Sequence, residues 1–270
     1  MAMVDARRLC LTFDNLGQAR RVFEGRASLP DENAPEVSVA YPKILRLLSD
    51  LGLSATFFVE GWSAFHFSTV LETIQEAGDE VGLHGWIHEK FSDLTRARAL
   101  QCINDGVTAL RRAGIAPVGF RAPGGVRGPF AADILKELGY FYDSSVEDDF
   151  RETCTIDDDD HGGDGLRQLP NGLVNVPWRW SMIDAIHYLI STSGFRVPAR
   201  LADYWRSVIA NIPAGGLLTI IGHAHISGLD RDKLAALREI LVVAQEARVE
   251  IVAAHAAAQS FHVANNIVDS

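Results

Sequence analysis

YPKILRLLSDLGLSATFFVEG, residues 41–61, carries the fold in miniature. Ile44, Leu45, Leu47, Leu48 and Leu51 recur at the spacing that paints a broad apolar stripe on a helix. Pro42 suits a first turn, where its missing N–H would have had no partner, and Gly52 stops the helix. LSATFFV follows at once, short, apolar and rich in aromatic and β-branched residues, which is the pattern of a strand. A helix running straight into a strand is part of a repeating β/α chain.

Outward from this stretch the alternation continues. RLCLTF precedes it; DEVGLH, APVGFR, GYFYDSS, GLVNVPW, GGLLTIIGH and ARVEIVAA follow, most bounded by Gly, Pro or Asp. Helical patterns cover about 95–113, 130–138, 198–211, 231–247 and 255 to the tail. Strands alternating with helices predict an α/β fold with a mostly parallel sheet, and at 270 residues a closed or partly closed (β/α) barrel of seven to eight strands. A doubly wound open sheet is disfavoured, because no Gly-rich dinucleotide turn follows the first strand.

Composition narrows the function. The chain is 47% hydrophobic and 22% charged, with a formal charge of −10, so nucleic acid or an anionic membrane is not an expected partner. Cys10, Cys102 and Cys154 are far apart and in no CxxC pair, which predicts free thiols and a cytoplasmic setting. No stretch reads as a signal peptide or a membrane span. ETCTIDDDDHGGDGLRQ, 152–168, reads as a solvated acidic loop. Its likeness to a calcium loop through Asp157, Asp159 and Gly162 fails at Gln168, where a bidentate Glu is needed.

Polar groups gather at the predicted strand ends, where barrel enzymes keep their chemistry. Asp14 and Asn15 close the first strand; His84 and His88 follow the third, in HGWIHEK. Arg121 and Pro123, Asp143, then Trp178 and Trp180, then His223 and His225 end later ones. The spacing of His84 and His88 puts both imidazoles on one face of a helical turn, where they can converge on an ion or simply be two polar residues at a helix start.

LTFDN, HGWIH, RAPGG, YDSS and IIGHAH stand in the order of the motifs of the polysaccharide deacetylase family, the carbohydrate esterases with a NodB homology domain, and the chain resembles that family over about 8–260. The branch it looks like holds cytosolic peptidoglycan deacetylase-like and allantoinase-like proteins. The resemblance implies a single domain, 1–270, folded as a distorted or incomplete (β/α) barrel. It implies that His84 and His88 bind a divalent metal, zinc first, and that Asp14 is the general base. By the same resemblance Arg121 orients that base, Asp143 steadies the arginine, and His223 is the general acid. Pro123 and Gly125 shape a substrate-facing loop, and Trp178 and Trp180, near Asp184, offer a stacking surface for a sugar.

The departures are instructive. Where the family commonly has a second aspartate as metal ligand, this chain has Asn15, whose neutral amide binds zinc weakly. Either Asp14 joins His84 and His88 in a triad, or the ion is held poorly or not at all. Val126 replaces a frequent aromatic, and His225 falls at a variable place and is read as a plain polar residue. The expected function is a metal-dependent hydrolase of a carbon–nitrogen bond in an N-acetylated sugar or polysaccharide. The alternatives are a hydrolase of small linear or cyclic amides, with little metal, and a non-catalytic sugar-binding barrel; a homo-oligomer is open in each. A two-metal amidohydrolase loses, because its HxH pair belongs on the first strand and here the only HxH is His223–His225.

Overall fold

The structure, a computed structural model, describes residues 6–27, 29–150 and 165–268. In chain order the elements are β1 (Arg8–Asp14), α1 (Ala19–Phe23), α2 (Tyr41–Leu51), β2 (Thr56–Val59), α3 (Gly61–His66), α4 (Ser68–Glu76) and β3 (Glu80–Leu83). Then come α5 (Arg96–Arg112), β4 (Gly119–Phe120), α6 (Ala131–Glu137), β5 (Tyr142–Asp143), β6 (Arg167–Gln168) and β7 (Val174–Asn175). The chain ends with α7 (Pro198–Ala210), β8 (Leu217–His223), α8 (Arg231–Glu246), β9 (Glu250–Val252) and α9 (Ala254–Val268).

The sheet runs β6-β7-β5-β4-β3-β2-β1-β8, with β9 also paired to β1. Every pairing is parallel except β6–β7. β1 lies along the whole of β8 on one edge. On its other edge β9 takes Arg8–Cys10 and β2 takes Thr12–Asp14. Beyond its first residue β1 is buried throughout, as a parallel strand covered on both faces must be. Among the described residues the sheet curls but does not close with a ladder. Across the seam stand the Ile183–Ile221 bridge, the Thr219 hydroxyl donating to Pro177 O at 2.7 Å and the Gly165 N–H donating to Leu217 O at 3.4 Å. This is the incomplete (β/α) barrel expected.

α2 forms as its pattern predicts. Ile44, Leu45, Leu47 and Leu48 are buried, each removing from water a side chain worth about 1.5–3 kcal/mol. Gly52 closes the helix at φ 63°, with open space where a Cβ would stand, so the backbone angle alone calls for glycine. Three short helices, α1, α3 and α4, and the two-residue β6 were not expected. HGWIH is not a helical turn either: residues 84–90 form a loop, with Gly85 at φ 71° and His88 at φ 79°. Cys10 and Cys102 are free and buried; Cys154 and the calcium-like residues 157–162 fall outside the described residues. Among the described residues no helix is long and apolar enough to cross a membrane.

Candidate active site

The C-terminal ends of β1, β3, β4 and β8 converge on one cavity, bordered by Asp14, Asn15, Arg20, His84, His88, Gly124, Gly125 and His223. Asp14 and His223 are register partners on adjacent parallel strands, so the two sit side by side at the rim. The cavity holds about 70 Å³, room for a few waters or a small acyl group.

Arg121, just past β4, is fully buried behind Asp14. Its Nη1 donates to Asp14 Oδ1 at 2.7 Å and to Thr12 Oγ1 at 2.8 Å. Its Nε and Nη2 donate to the backbone oxygen and hydroxyl of Ser144 at 2.9 and 2.8 Å, and its guanidinium lies over the Phe58 ring. Each nitrogen is engaged, which is the condition under which a buried ion pair is tolerated.

Asp143 does not steady Arg121. β5 lies parallel to β4 with Asp143 opposite Phe120, and side chains alternate along a strand. Ser144 therefore points at Arg121, while Asp143 and Ser145 point to the other face. There Asp143 accepts from Arg127 and from the Ser145 hydroxyl. Burial works against the Arg127 charge, but Asp143 more than offsets it and raises its pKa further.

His84 is buried at the end of β3, with Nδ1 2.9 Å from Arg121 O. Burial pushes its pKa down to about 4, against the pull of Asp14. The neutral ring donates its Nδ1 proton to that carbonyl and leaves Nε2 bare, the state a metal ligand needs. His88 faces it with ring centroids 5.5 Å apart; burial, then the neighbouring His84, holds its pKa well below the ordinary value. The loop between them is pinned by Glu89, whose Oε2 accepts from the N–H groups of Trp86 and Ile87, both at 3.1 Å. Pro123 packs against this loop: a Cβ on Gly85 would stand 2.9 Å from its Cγ.

Asn15 takes φ 65°, a left-handed conformation that Asn tolerates better than most residues. Its side chain is buried, and Oδ1 has no hydrogen-bond partner. An orphaned carbonyl oxygen beside two bare imidazoles fits a divalent cation. His84, His88 and Asn15 are thus the residues that would hold one. The compensating His84–His88–Asp14 triad does not form: among the described residues no three of His, Cys, Asp and Glu gather as a metal-binding group. Arg121 instead holds Asp14 Oδ1.

His223 has a partner the sequence did not disclose. Asp184 Oδ1 stands 2.6 Å from its Nδ1, and Oδ2 accepts from its backbone N–H and from the Ser227 hydroxyl at 2.9 and 2.8 Å. Burial would lower the His223 pKa, but the Asp184 charge and hydrogen bond outweigh it and raise the value. His225 sits in a one-turn π-helix, Ala224–Gly228, not on an extension of β8, and it does not border the cavity.

Trp178 and Trp180 meet edge to face at 4.9 Å and are almost wholly buried. Trp178 Nε1 donates to Ser144 O at 2.8 Å. Gly125, at φ 88°, comes so close that a Cβ there would lie 2.6 Å from Trp178 Cη2. The two rings border the cavity as part of an apolar wall with Ile183, Ile186, Ile190 and Ile221, rather than lying open as a platform.

Comparison with known protein families matches residues 3–142 to the polysaccharide deacetylases. The chain belongs to the polysaccharide deacetylase family. Its relatives in that family include a Helicobacter pylori peptidoglycan deacetylase, 27% identical over 186 residues, 62% of this chain and 64% of the relative. A chitin deacetylase from Pestalotiopsis is 30% identical over 140 residues, 49% of this chain and 45% of the relative. The chain thus spans less than two thirds of the length of the curated relatives it matches. A solved Mycobacterium smegmatis structure assigned to the same family overlays with a TM-score of 0.77 at 25% identity, covering 97% of this chain and 92% of that one. The Puue allantoinase overlays at 0.74 with 19% identity, covering 95% and 91%, and shows the shared fold.

Proposed function

We propose that this chain is a metal-dependent hydrolase of a non-peptide carbon–nitrogen bond, which removes the acyl group from an N-acetylated sugar or polysaccharide. One observation carries the reading. Asp14 and His223 are register partners facing one cavity, each with its own buried partner behind it. Arg121 occupies one oxygen of Asp14 and so fixes the direction of the other, which takes a proton from water. Asp184 holds a proton on Nδ1 of His223 and stabilises the charged ring. Nε2 is then the atom that hands a proton to the leaving amine.

His84, His88 and Asn15 would hold a divalent ion, which would supply Lewis acidity for the acyl oxygen and the attacking water. Zinc suits the imidazoles best, and the neutral amide of Asn15 holds it less tightly than a carboxylate would. The apolar wall around Trp178, Trp180 and Ile221 suits an acetyl methyl group. The peptidoglycan and chitin deacetylases among the relatives support an N-acetylated sugar as substrate. A small amide is the second reading, favoured by the narrow cavity and by tryptophans that are buried rather than open. A mere sugar binder would have no use for two titratable groups so elaborately partnered.

The test is elemental analysis of wild type and His84→Ala, alongside acetate release from N-acetylated sugars and small amides. The expected result is a divalent ion in wild type that is lost in the variant, with activity that follows it. Wild type that takes up no ion on titration defeats the metal-dependent reading.

A further inference from the structure

The cavity has one strong charge that the chemistry above does not use. Arg20 borders it from α1, on the short segment that Gly17 turns away from the end of β1 at φ 75°. The guanidinium makes itself felt across the site: its charge opposes protonation of His88, His223 and His225. Asp14, the other charged side chain on the cavity wall, is already paired with Arg121.

The neighbourhood of Arg20 does not neutralise it. Arg20 gives Nε to Glu24 at 2.9 Å; Arg26 binds the other oxygen of the same carboxylate, and Arg21 pairs with Glu36. Three arginines face two glutamates, leaving one positive charge over, in a protein whose net charge is −10. The Arg20–Glu24 pair is half exposed, so it holds little energy against a competing anion. The terminal amino groups of Arg20 stay available for a planar, two-point grip on a carboxylate. The same cavity is also lined by Ile183, Ile186 and Ile190, which offer nothing to an anion.

We propose that Arg20 is a specificity-determining residue that binds a carboxylate on the substrate, so that the preferred substrate is a small N-acylated acid. This rests on the hydrolase reading of the site. The scissile amide lies between Asp14 and His223, the acid group reaches Arg20, and the apolar part of the molecule lies on the isoleucine wall. Two kinds of compound present this chemistry, an acidic amino sugar and an N-acyl amino acid.

The test uses matched pairs on wild type, Arg20→Gln and Arg20→Lys. The pairs are N-acetylmuramic acid against N-acetylglucosamine, and N-acetylleucine against N-acetylleucinamide. A charge-assisted contact predicts about a 10-fold or greater preference for the acid in kcat/KM, expressed mainly in KM. Arg20→Gln brings the acid-to-neutral ratio towards one, and Arg20→Lys keeps part of it. Whichever pair shows the preference names the source. A wild type that treats acid and neutral partners alike, or a ratio that Arg20→Gln leaves in place, overturns the proposal. If no compound is turned over, the hydrolase reading fails on its own. Calorimetric titration with the same pairs then decides Arg20: tighter binding of the acid, lost in Arg20→Gln, upholds it, and equal binding sinks it.

Discussion

Two buried arginine–aspartate pairs stand within a few residues of each other, and only one faces the cavity. Arg121 with Asp14 and Arg127 with Asp143 are both withdrawn from solvent, but both oxygens of Asp143 are bonded while Arg121 holds Asp14 by Oδ1. Asp14 ends β1 at the cavity wall. Asp143 ends β5 on the opposite face, where with Ser145 and Asn175 it ties the Arg127 loop to the sheet. The difference between them is strand alternation, one residue of phase. Burial and charge alone do not make a site; the side of the sheet does.

The sharpest way to break this comparison is Asp14→Asn. It keeps an acceptor for Arg121 and removes the base, so kcat falls roughly a thousandfold while the melting temperature holds close to wild type. Equal losses in both would make Asp14 a structural residue like Asp143. The reverse is expected at Asp143→Ala. Stranding Arg127 in the interior costs about 3 kcal/mol of stability by denaturant titration, and the protein that remains folded keeps its kcat. A collapse of kcat with stability intact would place Asp143 in the chemistry after all.

A smaller effect is expected on the acid side. Asp184→Asn removes the charge that raises the His223 pKa, so a group that must be protonated to act loses its proton at lower pH. The alkaline limb of the activity profile moves down, with a fall of about 10-fold near neutrality. Because the folded-state value is raised, His223 stabilises the fold below its ordinary pKa and loses that contribution as pH climbs through the raised one. An unmoved alkaline limb would mean that another group is the acid. Smallest is Asn15→Asp. A charged oxygen in place of the orphaned amide tightens zinc binding about 10-fold in a chelator competition. Unchanged affinity would mean that residue 15 does not touch the ion.

Much of this was legible in the residues. The stripe of α2 and its glycine stop needed only periodicity, and each apolar run flanked by turn residues contains a strand. Asp14, His84, His88, Arg121 and His223 were singled out by their places at predicted strand ends and by the resemblance, and the structure brings them together at one end of the sheet. What was missed has physical causes. α3, with six residues, is too short to show a period, and α4 was passed over although Leu71 and Ile74 stand three apart on its buried face. The HGWIH loop bends through left-handed angles that a spacing of four does not reveal. Asp184 lies 39 residues from His223, and nothing local links them. Asp143 was assigned to Arg121 by the resemblance; its actual partner, Arg127, lies six positions further on, and which arginine it meets depends on strand phase.

The seam in the barrel divides the labour of the protein. Asp14, His84 and His223, the residues proposed for the chemistry, stand at or just past the ends of strands paired in a continuous ladder. Ile183, Ile186 and Ile190, the wall a substrate would lean on, belong to a stretch outside that ladder, held to β8 by the Ile183–Ile221 bridge and by the Asp184 carboxylate on His223. With Asp184 kept in place, the apolar residues around it can be exchanged without disturbing a strand pair. In evolution this is a region where appetite can change while the teeth stay fixed. For a protein engineer it is the place to graft a new preference.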